Sequence, residues 1–303
     1  MRSPLVLCAL ALTAACSLQP APSFPRPALA STAATVPCPR LVTMQQHGEG
    51  RASGTLLGEG EEVRFELHRC RRASGASTSP PLVLLVPILA GGRELMTLVA
   101  QRFVAEGFDV AFCERAGAAM SPPQRAADLD ELFRRTVLHQ RLLLAWLRGS
   151  DTPPPTLHVM GLSMGGMIST VLAALEPRLG GVAICLSGAD LADLVLVSSE
   201  GRVQRWLAWR RDTDGIGDDA LEWELRQFLA HEPFRFAPGV QTDKVLFVSA
   251  ALDTVVPRRN QSLLWEALGR PERLDVPFGH YSAALAMDRV IGAAAEHFRA
   301  RER

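Results

Sequence analysis

If this chain does chemistry, Gly161-Leu162-Ser163-Met164-Gly165-Gly166 is where it happens. A serine hydroxyl lifted clear of its backbone can attack an acyl carbon, and a neighbouring backbone N–H can meet the oxyanion that forms. The flanking sequence favours that use. Thr156-Leu157-His158-Val159-Met160 reads as a strand, and Met167 to Leu175 is an apolar run that reads as a helix. A turn sharp enough to join them brings backbone segments close together, and glycine at 161 and 165 leaves no Cβ to clash. The N–H of Met164 is then the nearest oxyanion donor. G-x-S-x-G alone arises by chance in about one chain in ten of this length, and a capping serine in a glycine-rich turn has the same look. The motif's value therefore rests on an acid and a histidine elsewhere.

The elements that would position such a serine follow from periodicity. Thr55-Leu56-Leu57 and Val63 to His68, joined through Gly58-Glu59-Gly60, read as a hairpin. Leu82 to Val86, Asp109 to Cys113, Val182 to Leu186 and Val245 to Ser249 are short continuous apolar runs, as expected of parallel strands buried on both faces. Helical patterns fall between them near Glu94–Glu106, Asp128–Leu147 and Leu263–Leu268. Arg273-Leu274-Asp275-Val276 is a last strand, and a helix from about Ser282 closes the chain. This alternation predicts an α/β fold with a mostly parallel central sheet and helices on both faces. Residues 188–240 are extra to it, with helices around Val203–Trp209 and Ala220–Leu229, and predict a helical cap.

Over residues 55 to 300 the chain resembles the α/β-hydrolase superfamily, whose catalytic residues run in the order serine, acid, histidine. The resemblance implies a base after the last strand. Of the seven histidines, His280 stands there, in Pro277-Phe278-Gly279-His280-Tyr281-Ser282. It implies an acid after the preceding strand, and Asp253 in Asp253-Thr254-Val255-Val256-Pro257 matches the family's Asp-x-x-Val-Pro segment. Asp190, one strand earlier, is the alternative. Asp253 would fix the histidine tautomer and stabilise the imidazolium. The family's second oxyanion donor comes from the loop after the first parallel strand. That loop, Pro87-Ile88-Leu89-Ala90-Gly91-Gly92, departs from the family's His-Gly, and proline cannot donate. By position Leu89 is the candidate and Ile88 the second.

The implied activity is hydrolysis of carboxylic esters through an acyl-enzyme, with a small-molecule ester as partner and no metal or organic cofactor. The same triad serves peptidases, thioesterases and acyltransferases. A surface-tethered binding protein without turnover is the alternative from another class. Trp206, Trp209, Trp223, Phe228, Phe234 and Phe236 in the insertion are expected either to line an apolar acyl pocket or to pack the cap on the sheet.

The 303 residues carry 32 basic and 32 acidic side chains, so no electrostatic case exists for binding nucleic acid. Arg2 and the apolar run Leu5 to Leu12 read as a signal segment over residues 1–15. Leu12-Thr13-Ala14-Ala15-Cys16 resembles a bacterial lipobox, which implies export, lipidation at Cys16 and a membrane anchor in the cell envelope. The alternative is a periplasmic or secreted protein released at Ala28-Leu29-Ala30. Residues 16–39, rich in Pro, Ala and Ser, read as a tether before a domain over 40–303. In an oxidising compartment Cys38 and Cys70, which bracket the hairpin region, are expected to form a disulfide. Cys113 and Cys185, inside apolar runs, read as buried thiols.

Overall fold

Three antiparallel strands lead the chain: β1 (Arg40–Gln46), β2 (Arg51–Gly58) and β3 (Glu61–His68). A computed structural model describes residues 35–48, 50–71, 79–89 and 92–302. The expected signal segment, Cys16 and most of the expected tether lie outside the described residues. The tight turn between β2 and β3 uses Glu59 and Gly60, at φ 49° and 76°, the left-handed pair that suits a two-residue hairpin. Every residue of β1 is exposed or half-exposed, so no buried face marks it in the sequence.

The parallel strands follow as β4 (Leu82–Val86), β5 (Asp109–Cys113), β6 (Leu157–Leu162), β7 (Val182–Cys185), β8 (Val245–Ala250) and β9 (Glu272–Val276). The sheet order is β1-β2-β3-β5-β4-β6-β7-β8-β9. β5 and β6 flank β4 on opposite sides, so the chain reverses direction across the sheet at β4. In open parallel sheets the crevice beyond the strand ends at such a reversal is where ligands bind.

Strand parity explains the two cores. Leu84, Val86, Val159, Ile184, Val245 and Phe247 point to one face, where α2 (Ala126–Arg148), α3 (Met164–Leu175) and α8 (Arg258–Ala267) pack. Val83, Leu85, Val110, Met160, Ala183, Leu246 and Val248 point to the other, against α1 (Arg93–Ala105) and α9 (Met287–Arg299). Alternate side chains of a strand leave by opposite faces, so a continuous apolar run is what a strand covered on both sides requires. Between β7 and β8 lie α4 (Leu191–Val197), α5 (Gly201–Asp214), α6 (Asp218–Phe228) and the short α7 (Pro233–Phe236). Helix α5 runs past the apolar pattern at Val203–Trp209 through Asp212 to Asp214, and Gly215 ends it at φ 62°.

The expected Cys38–Cys70 disulfide is corrected. The two sulfurs are not bonded to each other. β1 and β3 both run antiparallel to β2, so they run parallel to each other. Cys38 precedes β1 at the end where Arg40 faces Leu57, while Cys70 follows β3 at the end where His68 faces Arg51. A strand of this length separates them by on the order of 25 Å, against a Cα span of about 7 Å at most for a disulfide. Cys70 instead sits over Asp109, to which its N–H donates at 2.9 Å. Cys113 and Cys185 are buried, and burial pushes the Cys113 thiol up to about 12 and the Cys185 thiol higher than its ordinary value.

Candidate active site

β6 ends at Leu162 and α3 begins at Met164, so a single residue, Ser163, makes the whole turn. It does so at φ 55° and ψ −123°, outside the ordinary strand and helix regions. Such a conformation costs on the order of 1–3 kcal/mol and persists only where its surroundings hold it. Here they do. Ser163 N–H donates to Cys185 O at 2.8 Å, and Ser187 Oγ donates to Ser163 O at 2.7 Å. A Cβ on Gly161 would lie 2.2 Å from Gly165 O, and one on Gly165 would lie 2.5 Å from Val86 O. These two glycines let α3 start directly against the ends of β6 and β4. Met164 is the first helical residue, so its N–H has no partner within the helix.

Asp253 follows β8 and is buried with its side chain fully covered. Its Oδ1 accepts from the Val255 and Val256 N–H groups at 2.9 and 2.8 Å, which fixes the carboxylate plane. Oδ2 lies 2.7 Å from His280 Nδ1, and His280 Nε2 lies 2.9 Å from Ser163 Oγ. A carboxylate can only accept, so Nδ1 carries the proton and Nε2 is left with its lone pair toward the serine. Three residues from three strand ends thus form one hydrogen-bonded line. Asp190, the alternative acid, is elsewhere: it caps α4 in the left-handed region at φ 59° and pairs with Arg226 at 2.9 Å. The other histidines of the cap and C-terminus are tied to partners of their own, His231 to Asp130 and His297 to Glu272.

A narrow slot of about 60 Å³ opens on Ser163. Met164, Leu89, Leu129, Leu132, Phe133 and Leu194 are among its walls, with Glu200 an acidic group beside them. Leu89 and Met164 thus line the same slot, and the carbonyls of Ile88 and Leu89 accept from the Arg115 guanidinium at 2.7 and 2.8 Å. That grip on the carbonyl side fixes the Pro87–Leu89 loop. Arg115 has its charge disfavoured by burial and by the nearby Arg202.

None of the six cap aromatics lines this slot. Trp206 and Phe236 are buried, and Trp206 Nε1 donates to Gln124 O at 2.8 Å. Trp223 and Phe228 are largely exposed. They serve cap packing and surface, and aliphatic side chains build the slot instead. Sequence reasoning also missed Glu200, Tyr281 and Arg115. Tyr281 is adjacent to His280, a signal that was available; nothing local distinguishes Glu200 or Arg115 from other surface charges.

The reversal of strand order at β4, the serine turn after β6 and the acid and histidine after β8 and β9 define an α/β-hydrolase fold. Solved structures share it. The acetyl xylan esterase from Paenibacillus sp. R4 is 14% identical, covers 90% of this chain and 96% of its own, and superposes with a TM-score of 0.64. Acetyl xylan esterase 1 from Thermoanaerobacterium sp. JW/SL YS485 is 17% identical over 87% of this chain and 92% of its own, with a TM-score of 0.63. A Pyrococcus furiosus esterase is 11% identical over 88% and 100%, with a TM-score of 0.60. No protein-family description matches the chain. Among curated sequences, an uncharacterized protein of Mycobacterium tuberculosis is 30% identical over 140 residues, 46% of this chain and 32% of its own. The chain spans about a third of that relative's length.

Proposed function

We propose that this protein is a serine hydrolase that cleaves carboxylic esters through an acyl-enzyme. The observation that carries the reading is the line from Asp253 through His280 to Ser163, ending at an apolar slot. Ser163 Oγ attacks the ester carbonyl while His280 Nε2 takes its proton. Asp253 holds the imidazole in the required tautomer and offsets the charge it gains. Met164 N–H, at the start of α3, and Leu89 N–H, in the loop after β4, stabilise the oxyanion; one such donor contributes about 3–4 kcal/mol to the barrier reduction. His280 then protonates the departing alcohol and activates the water that frees the acyl group.

The aliphatic lining and small volume of the slot support a short, neutral acyl group. The acetyl xylan esterases among the fold relatives point to the same size range. A fluorophosphonate probe tests the reading: the wild-type protein should label covalently and Ser163→Ala should not. Nitrophenyl acetate and butyrate should turn over at least about tenfold faster than the palmitate ester. Folded wild-type protein that neither labels nor turns over any of these esters would leave the non-catalytic alternative standing.

A further inference from the structure

Three consecutive cap residues, Ser198-Ser199-Glu200, reach the slot and the loops that carry the acid and the base. Ser198 and Glu200 line the slot with Ser163. Ser199 N–H donates to Thr254 O at 3.0 Å, and the Ser199 and Thr254 hydroxyls pair at 2.8 Å. Thr254 directly follows Asp253, so this part of the strap grips the acid loop. Glu200 caps α5, accepting from Arg202 N–H at 3.1 Å, and also accepts from the hydroxyl of Tyr281. Tyr281 directly follows His280, so the other end of the strap grips the base loop.

The contact to Tyr281 is not a by-product of packing. Tyr281 is 64% exposed and meets the His280 ring only edge-on, at 5.5 Å between centroids. An exposed ring gains little from burial, which leaves its hydroxyl as the group with a specific partner. Glu200, by contrast, is 8% exposed. Burial raises its carboxyl, but the Tyr281 hydroxyl, the Arg202 N–H and the charges of Arg202 and His280 outweigh this and hold it below the ordinary range. The bond to Glu200 in turn pushes the Tyr281 hydroxyl up to about 12. The pair is therefore a carboxylate accepting from a neutral phenol, the charge-assisted kind of hydrogen bond.

On its acid side the His280 loop is held by Leu252 N–H to Phe278 O, at 2.9 Å, and by Asp253 itself. We propose that Glu200 is a positioning residue that holds the loop from the cap side: through Tyr281 it sets where His280 Nε2 sits relative to Ser163. The Ser199–Thr254 pair does the same for the acid loop, so the cap and the triad are one mechanical unit. A displacement of about 1 Å at a proton-transfer centre costs on the order of a hundredfold in rate. This inference rests on the reading of Ser163, Asp253 and His280 as a triad.

The test uses the full chain, nitrophenyl butyrate, and Glu200→Ala, Glu200→Gln, Tyr281→Phe and the Glu200→Ala/Tyr281→Phe double variant. Tyr281→Phe should lower kcat about tenfold while KM stays within about twofold, because the lost contact orients the base and does not bind the ester; Glu200→Ala, which also alters the slot wall, should lower kcat at least as far, with no such limit on KM. The double variant should be no worse than the poorer single, as expected of two ends of one contact. Glu200→Gln keeps an oxygen that accepts the phenol and should recover most of kcat. Tyr281→Phe removes one oxygen from a largely exposed ring and keeps the fold, so it carries the test if Glu200→Ala weakens the start of α5. A wild-type kcat in Tyr281→Phe, or losses that multiply in the double variant, overturns the positioning role. Fluorophosphonate labelling separates that failure from failure of the hydrolase reading: in the first case the wild-type protein still labels, and in the second it does not.

Discussion

Two histidine–aspartate pairs in this molecule share a geometry and differ in setting. His280 Nδ1 lies 2.7 Å from Asp253, and His231 Nδ1 lies 3.1 Å from both oxygens of Asp130. Both histidines sit in loops, and both carboxylates also accept backbone N–H groups, Asp253 from Val255 and Val256 and Asp130 from His231 itself. The difference lies at the other ring nitrogen. His280 Nε2 meets Ser163 Oγ at 2.9 Å beside a slot. Among the described residues no hydroxyl or thiol bonds His231 Nε2, and its ring stacks on Phe236 at 6.1 Å between centroids. Asp130 belongs to α2 and His231 to the segment between α6 and α7, so this second pair fastens the cap to the body. An oriented histidine is a common structural clasp, and it becomes a candidate base only where a nucleophile and a cavity meet its free nitrogen.

The sharpest break of this comparison is a pair of alanine variants assayed for ester turnover. His280→Ala should lose on the order of 10⁴-fold in kcat, while His231→Ala should stay within about twofold. Equal losses would mean that the two pairs had been told apart wrongly. A smaller effect runs the other way. Losing the clasp in His231→Ala should lower stability by about 1–2 kcal/mol, read as a shift in the urea midpoint, since the Asp130 carboxylate loses its ring partner.

The smallest effect extends the comparison to a clasp with no ring nitrogen near a nucleophile at all. Glu61 pins the β2–β3 turn to α2 through two bonds to Arg135, at 2.7 and 2.6 Å, and one to His139 at 3.1 Å. The Arg135 bonds hold its carboxyl down at about 2 against the pull of burial. Because the folded value is depressed, the stabilisation is complete above the ordinary carboxylate range and fades as pH falls from about 4.5 toward 2. Solvent reaches Arg135, so the contribution is about 1 kcal/mol. Urea midpoints of wild type and Glu61→Gln should therefore differ at pH 6 and converge at about pH 2; an equal gap at both would show that the carboxylate charge is not involved.

Much of this architecture can be read along the chain. The buried parallel strands announce themselves because a strand covered on both faces needs every side chain apolar, as in Leu82 to Val86 and Val245 to Ala250. β1 escapes notice for the opposite reason: with no buried face it carries no alternation. The cap aromatics mislead because composition records how apolar a segment is and not which way each ring points; Leu191, Leu194 and Leu229 reach the slot and Trp206 does not. The Cys38–Cys70 pairing fails because closeness in sequence to one hairpin says nothing of which end each thiol occupies.

Residue types and order alone mark Ser163, its two glycines, and Asp253 and His280 as residues to examine, because a one-residue turn is a local steric demand and a strand end is a local pattern. The hydrogen-bonded line itself, the slot, Arg115 on the Leu89 loop, and Glu200 on Tyr281 81 residues away are decided by tertiary packing alone. Such contacts join groups whose positions are set by different strands and helices, and no pattern within either segment encodes the distance between them.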